Sequence, residues 1–151
     1  MSKPSIIFVC TGNTCRSPMA EVLAKKILSD LQVEVSSAGV FAYSGQGASQ
    51  NAVQAMHNNA LNLSNHSSRY LSEDILATAN LVLTMTRSHL AAVLDINPNA
   101  NAFTLNEYAS QLGEVSDPYG GSLEVYIQCA EQIKQLITAS VAKIKEDLWK
   151  V

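Results

Sequence analysis

The residues in this sequence with the clearest potential for chemistry are Cys10 and Arg16, which are separated by five positions. A cysteine thiolate is a nucleophile, and the planar guanidinium of arginine can donate two hydrogen bonds to the oxygens of one phosphoryl group. The segment that contains them reads Cys10-Thr11-Gly12-Asn13-Thr14-Cys15-Arg16-Ser17. The spacing alone is only moderately specific, so its meaning depends on the elements that position it.

A strand is predicted before this segment and a helix after it. Residues 5–10 (SIIFVC) form a continuous β-branched and aromatic run, which is typical of a strand buried on both faces. Pro18 suits the first turn of a helix, and apolar residues recur at helical spacing over residues 19–31. Such a turn directs backbone N–H groups and a helix dipole at one point, which favours an anion and a Cys10 thiolate.

Strands and helices alternate along the rest of the chain. Further strands are predicted at residues 33–37, 79–85 and 101–105, and further helices at 48–61, from Ser72, at 86–96 and from Ser122 to about Leu148. Residues 38–50 and 106–116 are predicted to be loops, and 117–121 a turn. The alternation predicts an α/β fold with a mostly parallel sheet covered by helices on both faces. The site of such a fold lies beyond the carboxyl ends of the strands, where the turn after residue 10 is placed.

Length and composition predict one folded domain over residues 1–151. The chain is 47% hydrophobic and 15% charged, whereas disorder requires low hydrophobicity and high charge. Its formal net charge of −3 argues against a nucleic-acid partner, which would call for a basic excess. The apolar run at residues 6–10 is far shorter than the roughly 20 residues that span a bilayer, so no membrane association is expected. Three cysteines cannot form a closed disulfide set, which favours a reducing, cytoplasmic setting.

Nucleotide-binding and zinc-binding motifs fit the turn less well than an anion cradle does. The glycine-rich dinucleotide pattern is absent, because Gly12 is the only glycine of the turn, and no Gly-Lys-Ser/Thr follows. A zinc site would need a second pair of ligands at the right spacing. Cys129 is isolated in a predicted helix, and the three histidines are dispersed at His57, His66 and His89. The sequence therefore predicts no metal and no cofactor.

Four segments, in this order, resemble the low-molecular-weight protein tyrosine phosphatases. The sequence FVCTGNTCRSPMAE resembles the nucleophile loop of that family, and Ser36-Ser37-Ala38-Gly39 resembles its Ser-Ala-Gly element. The segment Asn65-His66-Ser67-Ser68-Arg69 resembles its histidine segment, and Asp117-Pro118-Tyr119 resembles the loop of its general acid. The likeness runs from Ile6 to the last helix. It implies a Rossmann-like three-layer sandwich with a central four-stranded parallel sheet.

The resemblance implies a catalytic set of three residues. Cys10 would attack phosphorus and form a phosphocysteine, while Arg16 and the loop amides would stabilise charge on the equatorial oxygens. Asp117 would protonate the leaving group and then take a proton from the attacking water. Without the resemblance, an Asp-Pro pair would be better explained as the start of a turn.

Supporting roles also follow from the resemblance. Ser17 would donate a hydrogen bond to the Cys10 sulfur, although a serine at this place can equally be a helix N-cap. Asn13, Ser37 and His66 would hold the loop in place. Taken by itself, His66 would be explained as a surface or structural histidine.

Thr14 bears on which phosphorylated side chain is hydrolysed. The tyrosine-specific branch is expected to carry a larger aliphatic residue here, typically isoleucine. Thr14, with Thr11 nearby and Gly120-Gly121-Ser122 after the Asp-Pro-Tyr motif, resembles the bacterial protein arginine phosphatases instead. A hydroxyl near the nucleophile could position the group that attacks a P–N bond, so phosphoarginine is expected to be favoured over phosphotyrosine. The alternative is that threonine is a neutral replacement for isoleucine.

The substrate pocket and the second cysteine give two further expectations. Phe41, Tyr43 and Tyr119 could provide aromatic walls for a substrate side chain, or could be packing residues. A Cys10–Cys15 disulfide would inactivate the enzyme reversibly and protect the nucleophile from further oxidation. The alternative is that Cys15 is merely buried.

Two rival classes are disfavoured by the sequence. Thioredoxin-coupled arsenate reductases share the loop but need additional redox cysteines, which residues 86–97 lack. A catalytically inactive phosphate-binding module would be expected to have lost Cys10, Arg16 or Asp117, and all three are present. The expected partners are phosphorylated proteins as substrates, and the resemblance implies a monomer or weak self-association.

Overall fold

The computed structural model describes residues 3–149, which form four strands and six helices. The strands are β1 Ser5–Cys10, β2 Glu34–Gly39, β3 Leu81–Thr84 and β4 Ala102–Thr104. The helices are α1 Arg16–Ile27, α2 Gln50–Asn58, α3 Glu73–Ala77, α4 Arg87–Ile96, α5 Leu105–Tyr108 and α6 Leu123–Leu148. No helix of this described part is both long and apolar enough to cross a membrane.

The four strands form one parallel sheet in the order β2-β1-β3-β4. The central strand β1 pairs Ile7 with Ser36 of β2 on one side and with Val82 of β3 on the other. Because all four strands run in one direction, their carboxyl ends share one edge, and Cys10 lies there as the last residue of β1. The predicted four-stranded parallel sheet is confirmed.

Helices cover both faces of the sheet. Alternate side chains of β1 point to opposite faces, so they belong to two separate hydrophobic cores. Ile6 and Phe8 pack in a large core with residues of α1, α2 and α6, including Met19 and Ile133. Ile7 and Val9 pack in a smaller core on the other face, with residues of α3 and α4 such as Leu76 and Val93. The three-layer α/β sandwich is therefore confirmed as well.

Several element boundaries differ from those predicted. The helix α5 lies where a loop was predicted from residue 106, because the Thr104 hydroxyl accepts the Glu107 N–H at 3.1 Å and caps a four-residue helix. The strand β2 continues to Gly39 and into the predicted loop, since Gly39 pairs with Cys10. The helix α1 begins at Arg16, and it ends at Ile27, four residues before the predicted end at Leu31.

Candidate active site

A cavity of about 250 Å³ lies at the carboxyl end of β1, where the sequence predicts the site. Its lining residues come from the turn after β1 and from the segment before α6. They are Cys10, Thr11, Gly12, Thr14, Cys15, Arg16, Asp117 and Tyr119. The turn therefore curves around a single space, and the candidate nucleophile, cation and carboxyl group all face it.

Asn13 holds the turn in its curved form. Its backbone has a φ of 57°, in the left-handed region that asparagine tolerates better than most residues. Its buried side-chain amide donates to Ser17 Oγ at 2.8 Å and to Ser37 Oγ at 2.9 Å, and its Oδ1 accepts the Arg69 N–H at 3.0 Å. The Asn13 carbonyl accepts the Nε2–H of His66 at 2.7 Å. The predicted supporting residues Asn13, Ser37 and His66 thus meet in one network.

Ser17 connects this network to the candidate nucleophile. Its Oγ lies 2.9 Å from Cys10 Sγ. Because Asn13 already donates to Ser17 Oγ, the serine hydrogen remains available, and the sulfur lies closer than the alternative acceptor, the Ala38 carbonyl at 3.5 Å. A hydroxyl that donates to sulfur favours the thiolate. The N-cap alternative for Ser17 is wrong, because Cys15 occupies that position and Ser17 lies inside α1.

Glu21 and Arg69 also belong to this network, and both lie in segments that resemble the family, but no role was predicted for either. Ser37 Oγ donates to Glu21 Oε1 at 2.6 Å, and Glu21 also pairs with Lys25 at 2.9 Å. Arg69 Nε donates to the Ser37 carbonyl at 2.8 Å. Glu21 lies four residues after Ser17, on the same side of α1, and this spacing together with its place at the end of the quoted nucleophile-loop segment could have found it.

Arg16 is buried and held by groups that are distant in the sequence. Its Nη1 donates to the carbonyl of Val115 at 2.9 Å, and its Nη2 lies 3.8 Å from Asp117 Oδ2. Val115 is fixed in turn, because its N–H donates to the Met85 carbonyl after β3 at 3.0 Å. The guanidinium therefore has a fixed position in the lining of the cavity.

Asp117 lies at the mouth of the cavity. Its side chain is 55% exposed, and its Oδ1 accepts the Tyr119 N–H at 3.1 Å. That bond is the Asx turn expected of an ordinary Asp-Pro segment. The same carboxyl group also faces Arg16 and the cavity, so the turn aims the second oxygen at the site.

Gly39 allows β2 to approach the turn closely. A Cβ at this position would lie 2.5 Å from the Thr11 carbonyl oxygen and 2.9 Å from the Asn13 nitrogen. Two backbone hydrogen bonds form across this short distance. The Val40 N–H donates to the Cys10 carbonyl and the Phe41 N–H to the Thr11 carbonyl, both at 2.9 Å. The glycine of the Ser-Ala-Gly element therefore allows the end of β2 to pack directly against the backbone of the turn.

Cys15 is a buried free thiol beside Cys10 in the lining of the cavity. Its sulfur lies 3.4 Å from Ser49 Oγ and 3.4 Å from the hydroxyl of Tyr126 on α6. Burial, followed by the hydrogen bond with Cys15, raises the pKa of Tyr126 to about 12, so this hydroxyl stays protonated. Nothing in the sequence pointed to Tyr126 or Ser49.

The three aromatic residues that were candidates for the walls of the substrate pocket differ in where they lie. Tyr119 lines the cavity and is 79% exposed. Phe41 and Tyr43 are also largely exposed, but neither is among the residues that line the cavity. The structure therefore does not place Phe41 in the pocket wall, and its exposure is equally inconsistent with a role in core packing.

Metal ligands do not cluster at this site. Over residues 3–149, no group of three or more histidine, cysteine, aspartate or glutamate side chains is arranged to hold a metal ion. The positive charge that faces the cavity comes from Arg16 and from the N-terminus of α1.

Comparisons with known proteins agree with this geometry. Residues 5–150 match the family model described as low molecular weight phosphotyrosine protein phosphatase. A protein-arginine-phosphatase of Bacillus subtilis is 42% identical over 147 residues, which cover 94% of this chain and 97% of the relative. The tyrosine phosphatase PtpB of Staphylococcus epidermidis is 38% identical, over 87% of this chain and 93% of the relative.

A solved structure is similar over the whole fold. It is the YwlE arginine phosphatase, as a mutant with a phosphorylated active-site serine. Its TM-score is 0.90 at 40% identity, and the match covers 95% of this chain and 97% of that chain.

Proposed function

This chain belongs to the low-molecular-weight phosphotyrosine protein phosphatase family, and we propose that it is a cysteine-dependent protein phosphatase that favours phosphoarginine. The observation that carries the proposal is the convergence of Cys10, Arg16 and Asp117 on one cavity. A nucleophile at the base, a fixed guanidinium at the wall and a carboxyl group at the mouth are the parts that phosphoryl transfer without a metal requires.

The first half of the proposed reaction transfers the phosphoryl group to sulfur. The Cys10 thiolate attacks phosphorus, and an S–P bond forms as the bond to the leaving side chain breaks. Arg16 and the turn amides stabilise the equatorial oxygens in the transition state. Asp117 gives its proton to the departing nitrogen or oxygen, for which its place at the cavity mouth is suited.

The second half releases phosphate. A water molecule attacks phosphorus, Asp117 accepts its proton, and the S–P electron pair returns to Cys10. The hydroxyl of Ser17, 2.9 Å from the sulfur, stabilises the thiolate as it leaves. The similar structure with a phosphorylated active-site serine supports a covalent intermediate at this position of the turn.

The preference for phosphoarginine rests on Thr14 and on the relatives. Thr14 lines the cavity, so its hydroxyl is available to a polar leaving group. An arginine phosphatase and a tyrosine phosphatase both resemble this chain, at 42% and 38% identity. Phosphotyrosine is therefore the alternative substrate, and an apolar side chain at position 14 would suit its flat ring better.

Replacing Thr14 by isoleucine tests the preference. We expect the ratio of kcat/KM for a phosphoarginine peptide to that for a phosphotyrosine peptide to fall by about tenfold or more, because a polar contact is lost and an apolar one gained. Thr138→Ile, the same change at an exposed site on α6, is the matched control and should leave the ratio unaltered. Faster turnover of phosphotyrosine by the unsubstituted protein, together with no effect of Thr14→Ile, would exclude the preference.

We also propose that Cys10 and Cys15 form a reversible disulfide. Peroxide oxidises the Cys10 thiolate to a sulfenic acid, and the Cys15 thiol then displaces water from it to form the S–S bond. The proposal is supported by two observations: both residues are free cysteines, and both line one small cavity. In the reduced protein the Cys15 sulfur contacts Ser49 and Tyr126. These contacts must break before the disulfide forms.

Peroxide treatment followed by a thiol reductant tests the disulfide. We expect the unsubstituted protein to recover most of its activity, while Cys15→Ser loses activity irreversibly as Cys10 is oxidised to the sulfinic or sulfonic acid. Mass spectrometry should detect the Cys10–Cys15 crosslink before reduction. Cys129→Ser is the matched control and should recover like the unsubstituted protein. A sulfonic acid at Cys10 without any crosslink in the unsubstituted protein would contradict the proposal.

A further inference from the structure

His89 is a buried side chain on a separate element that contacts Thr11, one of the residues that line the cavity. It lies in the first turn of α4, which follows β3, and β3 lies beside β1 in the sheet. The Met85 N–H donates to the Val9 carbonyl at 3.0 Å, which joins the ends of the two strands just before α4 begins. Nε2 of His89 consequently lies 2.8 Å from Oγ1 of Thr11, a residue 78 positions earlier in the chain.

The imidazole of His89 is neutral at physiological pH. Burial is the main cause that lowers its pKa to about 4, and the positive charge of Arg16 acts in the same direction. A neutral ring carries one proton, and Nδ1 is buried without a hydrogen-bond partner among the described residues. Because a buried N–H without an acceptor is rarer than an unused lone pair, we assign the proton to Nε2. Nε2–H then donates to Thr11 Oγ1.

This bond determines what the Thr11 hydroxyl can do. A hydroxyl has one hydrogen and two lone pairs, and the imidazole occupies one lone pair. The hydroxyl hydrogen therefore stays available to another acceptor. Thr11 is exposed and lines the cavity with Cys10 and Arg16. A phosphoryl group presents several acceptor oxygens, so it matches an additional donor at this position.

We propose that His89 is a positioning residue, which holds the Thr11 hydroxyl as a further hydrogen-bond donor to the phosphorylated substrate. The proposal rests on the function proposed above and adds a residue pair to the same cavity. His89 acts only through Thr11. The hydroxyl contacts a phosphoryl oxygen in the bound substrate as well as in the transition state, so its loss weakens binding more than it slows the chemical step.

A set of four variants tests this pair. Thr11→Val keeps the branched shape and removes the hydroxyl, and we expect KM and the inhibition constant of inorganic phosphate to rise about tenfold. The same variant should change kcat by less than about threefold. His89→Leu should have the same effect, and the double variant should be no worse than Thr11→Val alone. His89→Gln, whose amide N–H can donate in place of Nε2–H, should restore most of the phosphate affinity.

Val93→Ala controls for disturbance of the helix. Val93 is fully buried one turn further along α4, and its side chain has no hydrogen-bonding group. This variant should lower thermal stability and leave the inhibition constant of phosphate unchanged. Thr11 is exposed, so Thr11→Val and His89→Gln still give the answer if His89→Leu does not fold.

Three results would overturn the role of His89. They are an unchanged phosphate inhibition constant in Thr11→Val, additive losses in the double variant, and equal losses in His89→Leu and His89→Gln. Failure of the proposed function has a different signature, because Cys10→Ser would then retain turnover. The two failures are therefore distinguishable in one series of assays.

Discussion

Cys10→Ser is expected to lower the steady-state rate of phosphopeptide hydrolysis by on the order of 10⁴-fold or more. The reason is chemical rather than structural, since a serine hydroxyl is similar in shape to a thiol but does not ionise near neutral pH. The cradle of backbone N–H groups and Arg16 stays intact, so the variant should still bind phosphate. Steady-state kinetics and phosphate binding by calorimetry check the two parts of this prediction.

Cys129→Ser is the matched control for that experiment. Cys129 is also a buried free thiol, but it lies on α6, and burial raises its pKa to about 12. It is therefore protonated at neutral pH and cannot act as a nucleophile. We expect its replacement to leave kcat/KM within about threefold of the unsubstituted protein. Full turnover by Cys10→Ser would exclude the phosphocysteine mechanism altogether.

The sequence predicts best the part of the site that consecutive residues form. A buried strand, a short polar turn and a proline in the first helical turn are consecutive, and together they place residues 10–17 at the carboxyl edge of the sheet. Gly12 is the residue of this segment that most easily adopts a left-handed backbone, yet Asn13 adopts it and Gly12 does not. Local sequence therefore accounts for the place of the cradle, but not for the backbone conformation of each residue in it.

The groups that fix the cradle come from distant segments and carry no local signal. Arg16 is held by the backbone carbonyl of Val115, which any residue type could supply 99 positions away. The contact between Cys15 and Tyr126 joins residues 111 positions apart. Such pairs depend on how α6 and the segment before it pack against the sheet, which periodicity within one element does not determine.

Element boundaries were least predictable where tertiary contacts decide them. The four-residue helix α5 is too short to show a hydrophobic period, and its local signals are only the cap at Thr104 and the acidic Glu107 three residues later. The end of β2 was hidden because Gly39 is typical of loops, yet it pairs with Cys10 and also forms a bridge with Tyr70. Pairing with a neighbouring strand outweighs propensity at such positions.

Arg16→Lys is expected to lower kcat/KM by on the order of 10³-fold while the protein stays folded. Arg16 uses one nitrogen for the Val115 carbonyl, lines the cavity, and keeps further N–H groups as donors. A lysine ammonium is a single point charge, and it cannot bind that carbonyl and also present a planar pair of donors to two phosphoryl oxygens. Because the loss concerns charge that spreads in the transition state, kcat should fall more than KM rises.

Arg87→Lys makes the same substitution away from the cavity and is the matched control. Arg87 is 74% exposed, and its ion pair with Glu107 spans 3.7 Å at the surface, where such pairs contribute little. Its kinetics should match those of the unsubstituted protein. If Arg16→Lys kept more than about a tenth of kcat, a point charge would suffice, and the planar donor pair would not be the feature that stabilises the transition state.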